Sequence, residues 1–180
     1  MELLTKYKLT DQTMCTHCGF QWHLGEIHEI DTPGNVLCSA DVFHFYDSPE
    51  LAVLLNPAHA HIQSPRLFAV ECDQVAHDGL KGGAKRMRLT KELPLPVFTT
   101  KQRVAFAIYC ALAVYDEPKF HVWAANWLAG KDRGAQAAWA AARAAETAAA
   151  RAAARAAETA GLKIDLQQFA LRALVYENPT

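Results

Sequence analysis

Residues 84–115 read AKRMRLTKELPLPVFTTKQRVAFAIYCALAVY, and the hydrophobic period changes inside them. Up to Thr90 the side chains alternate, with Lys85, Met87 and Leu89 opposite Arg86 and Arg88, which is the period of a strand. Further on, Val104, Ile108, Leu112 and Tyr115 follow the spacing of one helix face. Between the two patterns lies Leu93-Pro94-Leu95-Pro96, a rigid extended linker. Thr99 and Gln102 form a capping box that opens the helix. The chain therefore reads as α+β. A small antiparallel β-rich half with one short helix covers 1–96, and an all-helical half of four helices covers 97–180.

Downstream, Pro118 opens a second helix with Phe120, Trp123, Trp127 and Leu128 inward and Gly130 as its stop. The next stretch, DRGAQAAWAAARAAETAAARAAARAAETA over 132–160, carries 17 alanines among residues 135–160. Alanine orders at no side-chain entropy cost, so the stretch predicts one long helix of roughly 43 Å. Asp132 is its N-cap and Gly161 its stop. Trp139 is its only large apolar side chain, and Arg143, Arg151 and Arg155 lie on one broad side. The opposite side carries only methyls, which suits a scaffold laid on the chain's own domain, a docking face or an oligomer seam. The octet AARAAETA recurs after twelve residues, which is not a coiled-coil heptad. A fourth helix starts at Asp165 with Gln168 in a capping box, and buries Leu166, Phe169, Ala170, Ala173 and Leu174.

Upstream, 3–9 reads as a first strand, and Phe20, Trp22 and Leu24 alternate with Gln21 and His23. Residues 27–30 are expected to pair with that stretch, and 36–39 and 42–46 read as further extended pieces. Ser48 caps a helix with Pro49 at its first position, ending before Pro57. Residues 66–75 alternate as a strand. Gly79, Gly82 and Gly83 mark a flexible loop that lacks the Gly-Lys-Ser/Thr of a phosphate loop.

Charge is unevenly spread. Residues 1–60 hold two bases against eight acids, and 61–103 hold eight bases against four acids. A dipolar chain of net charge −1 argues against nonspecific nucleic-acid binding. The N-terminus has no basic segment followed by an apolar core, and no apolar run is long enough for a membrane span. Host cytosol is the expected compartment, where the five cysteines are thiols or metal ligands.

Cys15-Thr16-His17-Cys18 is the best candidate for chemistry. Its two thiolates with Cys38 and His44, or His23, would complete a tetrahedral zinc set. The alternative is buried thiols and strand-surface histidines. Lys85, Arg86, Arg88 and Lys91 form the only basic cluster. It is read either as a strand edge protected by charge or as a contact for an acidic partner. No nucleophile elbow, H-E-x-x-H or Walker pattern occurs.

Gly19-Phe20-Gln21-Trp22, Gly25-Glu26, Cys38, Phe43-His44-Phe45 before a short helix, and Phe68-Ala69-Val70-Glu71 together resemble a group of small phage and prophage proteins. Some of these carry Ala-rich helical tails with interspersed Trp, Arg and Glu. Val42 stands where they often have glycine. The resemblance implies a phage origin and brings no activity with it. The expected function is that of a non-enzymatic accessory protein that binds a host protein or protein–nucleic acid complex, with counter-defence such as CRISPR-effector inhibition the most concrete form. Lys85, Arg86, Arg88, Lys91, Trp139, Arg143, Arg151 and Arg155 are its expected binding residues. Two other classes are an enzyme acting on a nucleotide or nucleic acid, with His44, Tyr46 and Glu71 lining a cleft, and a homo-oligomer seamed by the Ala-rich helix.

Overall fold

The structure, a computed structural model, describes residues 4–31, 34–37, 39–113, 115–131, 134 and 164–177, with Cys18 described by its backbone alone. It is a mixed α+β chain with antiparallel sheets, and contacts divide it into two units, Met1–Pro96 and Val97–Thr180.

The first unit is built on a long hairpin, β6 (Arg66–His77) and β7 (Gly82–Leu93). On the far side of β6 lies β1 (Leu4–Thr10). The far edge of β7 is shared: its first residues pair with β5 (Phe43–Phe45), and its middle pairs with β4 (Ile27–Glu29). Tyr7 and Tyr46 then exchange main-chain bonds of 3.0 and 2.8 Å, which join the end of β5 to β1. The hydrogen-bonded path β1, β6, β7, β5 thus returns to β1. Register shifts in the hairpin after Ala69, Cys72 and Gln74 supply the bend this needs. At one of them the buried Asp73 carboxylate accepts the Arg86 N–H at 2.6 Å, standing in for a ladder carbonyl.

Trp22, Phe45, Phe68, Val70, Cys72, Ala84, Met87 and Leu89 form the core, with Met14 and Phe43 packed against it. Cys15 and Thr16 (β2, Cys15–Thr16) pair with Gln21 and Phe20 (β3, Phe20–Gln21) in a tight hairpin, and Thr16 Oγ1 accepts the Trp22 indole N–H at 2.9 Å. α1 (Pro49–His59) packs against β1. Ser48 accepts from Leu51 N–H as its N-cap.

Several expectations need correction. Gly82 and Gly83 belong to a strand, not a loop. The Phe45 ring lies so close that a Cβ on Gly82 would sit 2.0 Å from its Cζ, and a Cβ on Gly83 would meet Val42 Cγ2 at 2.7 Å. Glycine is here the residue that lets another side chain cross the strand. Residues 27–29 pair with Arg86, Met87 and Arg88 of β7 rather than with 20–24. No strand forms over 36–37, and Ser39 Oγ donates to the Val36 carbonyl. α1 runs through Pro57. Its end is held by Asn56, whose carbonyl takes the Ala60 and His61 N–H groups and whose amide bonds both main-chain groups of Ile62 at 2.9 and 3.0 Å.

The second unit contains α2 (Thr100–Leu112), α3 (Pro118–Leu128) and α4 (Leu166–Leu174). The Thr99 and Gln102 capping box is present in both directions. Gln102 Nε2 also donates to the Leu174 carbonyl at 2.6 Å, tying α2 to α4. Asp165 accepts from Gln168 N–H at 2.9 Å. Tyr115 lies beyond the end of α2 and is half exposed, so the buried face of α2 ends earlier than the sequence period suggests; it includes Val104, Ala105, Ile108 and Tyr109. The Ala-rich helix expected over 132–160 lies outside the described residues. None of the described helices is long and apolar enough to cross a membrane.

Candidate functional site

The sharpest concentration of perturbed polar groups lies where β5, α1 and the 78–81 turn meet. Phe45 points into the core, so its neighbours His44 and Tyr46 lie on the other side of β5. His59, on the last turn of α1, stacks on Tyr46 with ring centroids 5.9 Å apart and planes within 10°. The turn is built by Asp78, whose Oδ1 accepts from Leu80 and Lys81 N–H at 2.9 Å each. That geometry leaves Lys81 only 7% exposed. On β1, Lys8 is equally buried, its Nζ 2.9 Å from the His44 carbonyl and 4.8 Å from the Trp22 ring centroid.

The electrostatics follow from burial among cations. Burial, then Lys81, Lys8 and His59, push His44 down to about 4, with Asp78 working the other way. Burial and then Lys81 do the same to His59, again to about 4. Burial lowers Lys8 to about 8. Among the described residues the buried His59 Nδ1 has no hydrogen-bond partner. At neutral pH the site therefore holds two neutral imidazoles, His44 and His59, beside the buried Lys8 ammonium.

Next to it, Asp47 accepts from Lys6 Nζ at 2.6 Å and from His77 Nε2 at 2.7 Å. These bonds, His77's first, lower Asp47 to about 2. The Asp47 bond raises His77. His77 Nδ1 accepts from Gly79 N–H at 3.0 Å, so both ring nitrogens are engaged and the imidazole is a clamp.

Glu71 does not line this site. The register places Thr5, Glu71, Arg88 and Ile27 in one row across four strands, and Arg88 pairs with Glu71. The basic cluster is likewise divided. Lys85 reaches Glu29 at 3.4 Å, Arg86 offers its N–H to Asp73, and Lys91 is exposed opposite Ala69. Acids thus offset the charge of Arg88 and Lys85. Trp139, Arg143, Arg151 and Arg155 lie outside the described residues.

Of the expected zinc set, Cys15 and His44 are among the residues whose side chains are described. His44 is flanked by Lys81 and Lys8, which repel a cation, and Cys15 Sγ lies 3.1 Å from Gln21 Oε1. Cys38 and the Cys18 side chain lie outside the described residues, and among those described no three His, Cys, Asp or Glu side chains gather as a metal site.

His59, Lys81 and Asp78 were not singled out from sequence as site residues. The signal available was Asp78-Gly79, a strong hairpin dipeptide between two alternating runs. Read so, it folds Lys81 back beside β5. Compared with known proteins, the chain matches no family model, no curated protein and no solved structure.

Proposed function

We propose that the chain acts by binding another macromolecule, as an accessory protein of a phage with a host protein or protein–nucleic acid complex as partner. The phage setting rests on the sequence resemblance, and inhibition of a CRISPR effector in the host cytosol is its most concrete form. The observation that carries the binding role is the outer edge of the sheet at β4. Leu24 and Ile27 are each 58% exposed there, and Ile27 stands in register with Arg88 and Glu71. Exposed apolar side chains rimmed by fixed charges, on a rigid sheet, are the makings of a protein-binding surface. Trp139, Arg143, Arg151 and Arg155 on the Ala-rich stretch would add a second contact, or seam a homo-oligomer. A zinc ion on Cys15, Cys18, Cys38 and His44 is a further expectation of the sequence spacing, decided by metal analysis of the purified protein.

The test is capture from the bacterial host with tagged wild type and with Leu24→Asp/Ile27→Asp. One stoichiometric partner held by the wild type and lost by the folded variant supports the reading. No partner, or the same partner on both proteins, overturns it.

A second reading has one observation in its favour, the convergence of His44, Tyr46, His59 and Lys81. It makes the chain an enzyme on a nucleotide or nucleic acid, with His59 and Lys81 where Glu71 was expected. Loss of a measured turnover in His44→Ala, with partner capture intact, would favour it.

A further inference from the structure

The open side of β4 is chemically complementary to itself. β4 ends the sheet path, and among the described residues no strand pairs with the side away from β7. Ile30 N–H bonds the Lys85 carbonyl at 3.0 Å, and bonded pairs alternate along an antiparallel ladder. His28 is therefore the residue bonded to Met87, and the main-chain groups of Ile27 and Glu29 point to the open side. Residues 27–29 hold no lysine or proline and their pairing has no bulge, the usual guards of an edge. The stretch around them reads Leu24-Gly25-Glu26-Ile27-His28-Glu29-Ile30. Laid antiparallel on its own copy with Ile27 on the two-fold axis, it sets Ile27 against Ile27, His28 against Glu26, Glu29 against Gly25 and Ile30 against Leu24. Apolar side chains meet each other, and an imidazole meets a carboxylate. An axis at Glu29 would oppose two carboxylates, and an axis at His28 would set Ile27 against Glu29, so the register is specified. Arg88 brings no repulsion to the axis, because Glu71 pairs with it in each copy, and a net charge of −1 adds little.

We propose that β4 pairs with β4 of a second copy of this chain, antiparallel about Ile27, so that one sheet runs through both molecules. The inference rests on the reading of this edge as a binding surface and names its occupant when no host partner is present. Ile27 N–H donates to the carbonyl of the partner's Ile27 and accepts the same bond in return. The row Thr5, Glu71, Arg88, Ile27 then continues into its two-fold copy. The pairing covers Leu24 and Ile27, each 58% exposed in the single chain. β4 is short, so the dimer is weak and reversible, a cover that a host macromolecule can displace.

Sedimentation equilibrium of the purified full chain tests it. The wild-type mass should rise from 19.8 kDa toward twice that value between about 5 and 500 μM. Ile27→Lys alone and Ile27→Glu alone should stay monomeric across that range, because like charges then meet on the axis. An equimolar mixture of the two variants should recover the dimer, since opposite charges then meet there. A wild type that stays monomeric, charge variants that dimerise as it does, or a mixture no heavier than its components overturns the pairing. If either variant does not fold, amide exchange in the wild type decides. Ile27 N–H should slow about 10-fold or more from the lowest to the highest concentration relative to Ile30 N–H, which bonds Lys85 within the chain. A ratio independent of concentration refutes the pairing. The chain is measured alone, so a monomer leaves host capture standing, and a failed capture leaves the dimer standing.

Discussion

The ring of Phe45 lies across Gly82, so close that a Cβ there would stand 2.0 Å from Cζ. The two residues are direct partners in β5 and β7, and the ring is fully buried. The side chain that fills the core at this end takes the space a Cβ would need. Gly82→Ala should therefore cost about 3 kcal/mol, at the upper end of overpacking. Urea unfolding measures it, and Phe45→Leu in the Gly82→Ala background should recover part of the loss. Equal stability of Gly82→Ala and wild type would show that β5 can shift without cost.

From the segment between β5 and α1, Asp47 ties β1 to β6 through Lys6 and His77, all three side chains partly exposed. Asp47→Asn should cost about 1 kcal/mol near pH 6, since exposed pairs are weak. The pH dependence is more telling. Asp47's contribution is present above 3.8 and is lost as pH falls through about 2. That of His77, whose folded value is raised, is present below 6.5 and lost as pH rises through that folded value. The stability difference between wild type and Asp47→Asn should thus be largest between about pH 4 and 6.5 and shrink on both sides. A difference independent of pH would leave packing, not charge, as Asp47's role.

Much of the first unit is legible in its sequence because alternation there tracks burial. Val70 and Cys72 face the core as spaced, and the capping box of Thr99 and Gln102 needs only local chemistry. What sequence does not carry is pairing at a distance. Gly82 and Gly83 have no side chain to alternate, so their strand becomes visible only once Phe45 and Val42 are seen to occupy the space. The return of β5 to β1 rests on two main-chain bonds between Tyr7 and Tyr46, to which side-chain pattern is blind. The site shares that limit. His44 and Tyr46 were readable as a pair on one strand, but His59 and Lys81 arrive from a helix end and a turn. Glu71 alternates correctly, yet its row leads to Arg88.

Pro57 lacks the N–H that would bond Val53, yet α1 continues to His59. Asn56 compensates by closing the following loop on Ile62, with His61 between them at φ 50°. Asn56→Ala removes two side-chain bonds and should cost about 1–3 kcal/mol in thermal or urea unfolding. Pro57→Ala restores a helix bond but gives the unfolded chain more freedom, so its net effect should stay within about 1 kcal/mol. The reverse ranking would mean that proline, not Asn56, sets where the helix ends.

Lys8 is 6% exposed, and burial lowers its amine from 10.5 to about 8. At pH 7 the folded chain therefore carries a buried ammonium whose desolvation its bond to the His44 carbonyl and its place over Trp22 only partly offset. The shift corresponds to roughly 3 kcal/mol of penalty, present in full below pH 8 and gone above 10.5. Lys8→Met removes the charge and keeps the aliphatic stem, but leaves the His44 carbonyl without its donor, at a cost of about 1–3 kcal/mol. The variant should be about 1 kcal/mol more stable than wild type at pH 7 and less stable near pH 10.5, because only the wild type gains as its amine deprotonates. Urea unfolding of both proteins at the two pH values measures the crossing. Parallel curves would mean that Lys8 keeps an ordinary affinity for its proton, and that the Trp22 ring and the carbonyl fully replace the water it lost.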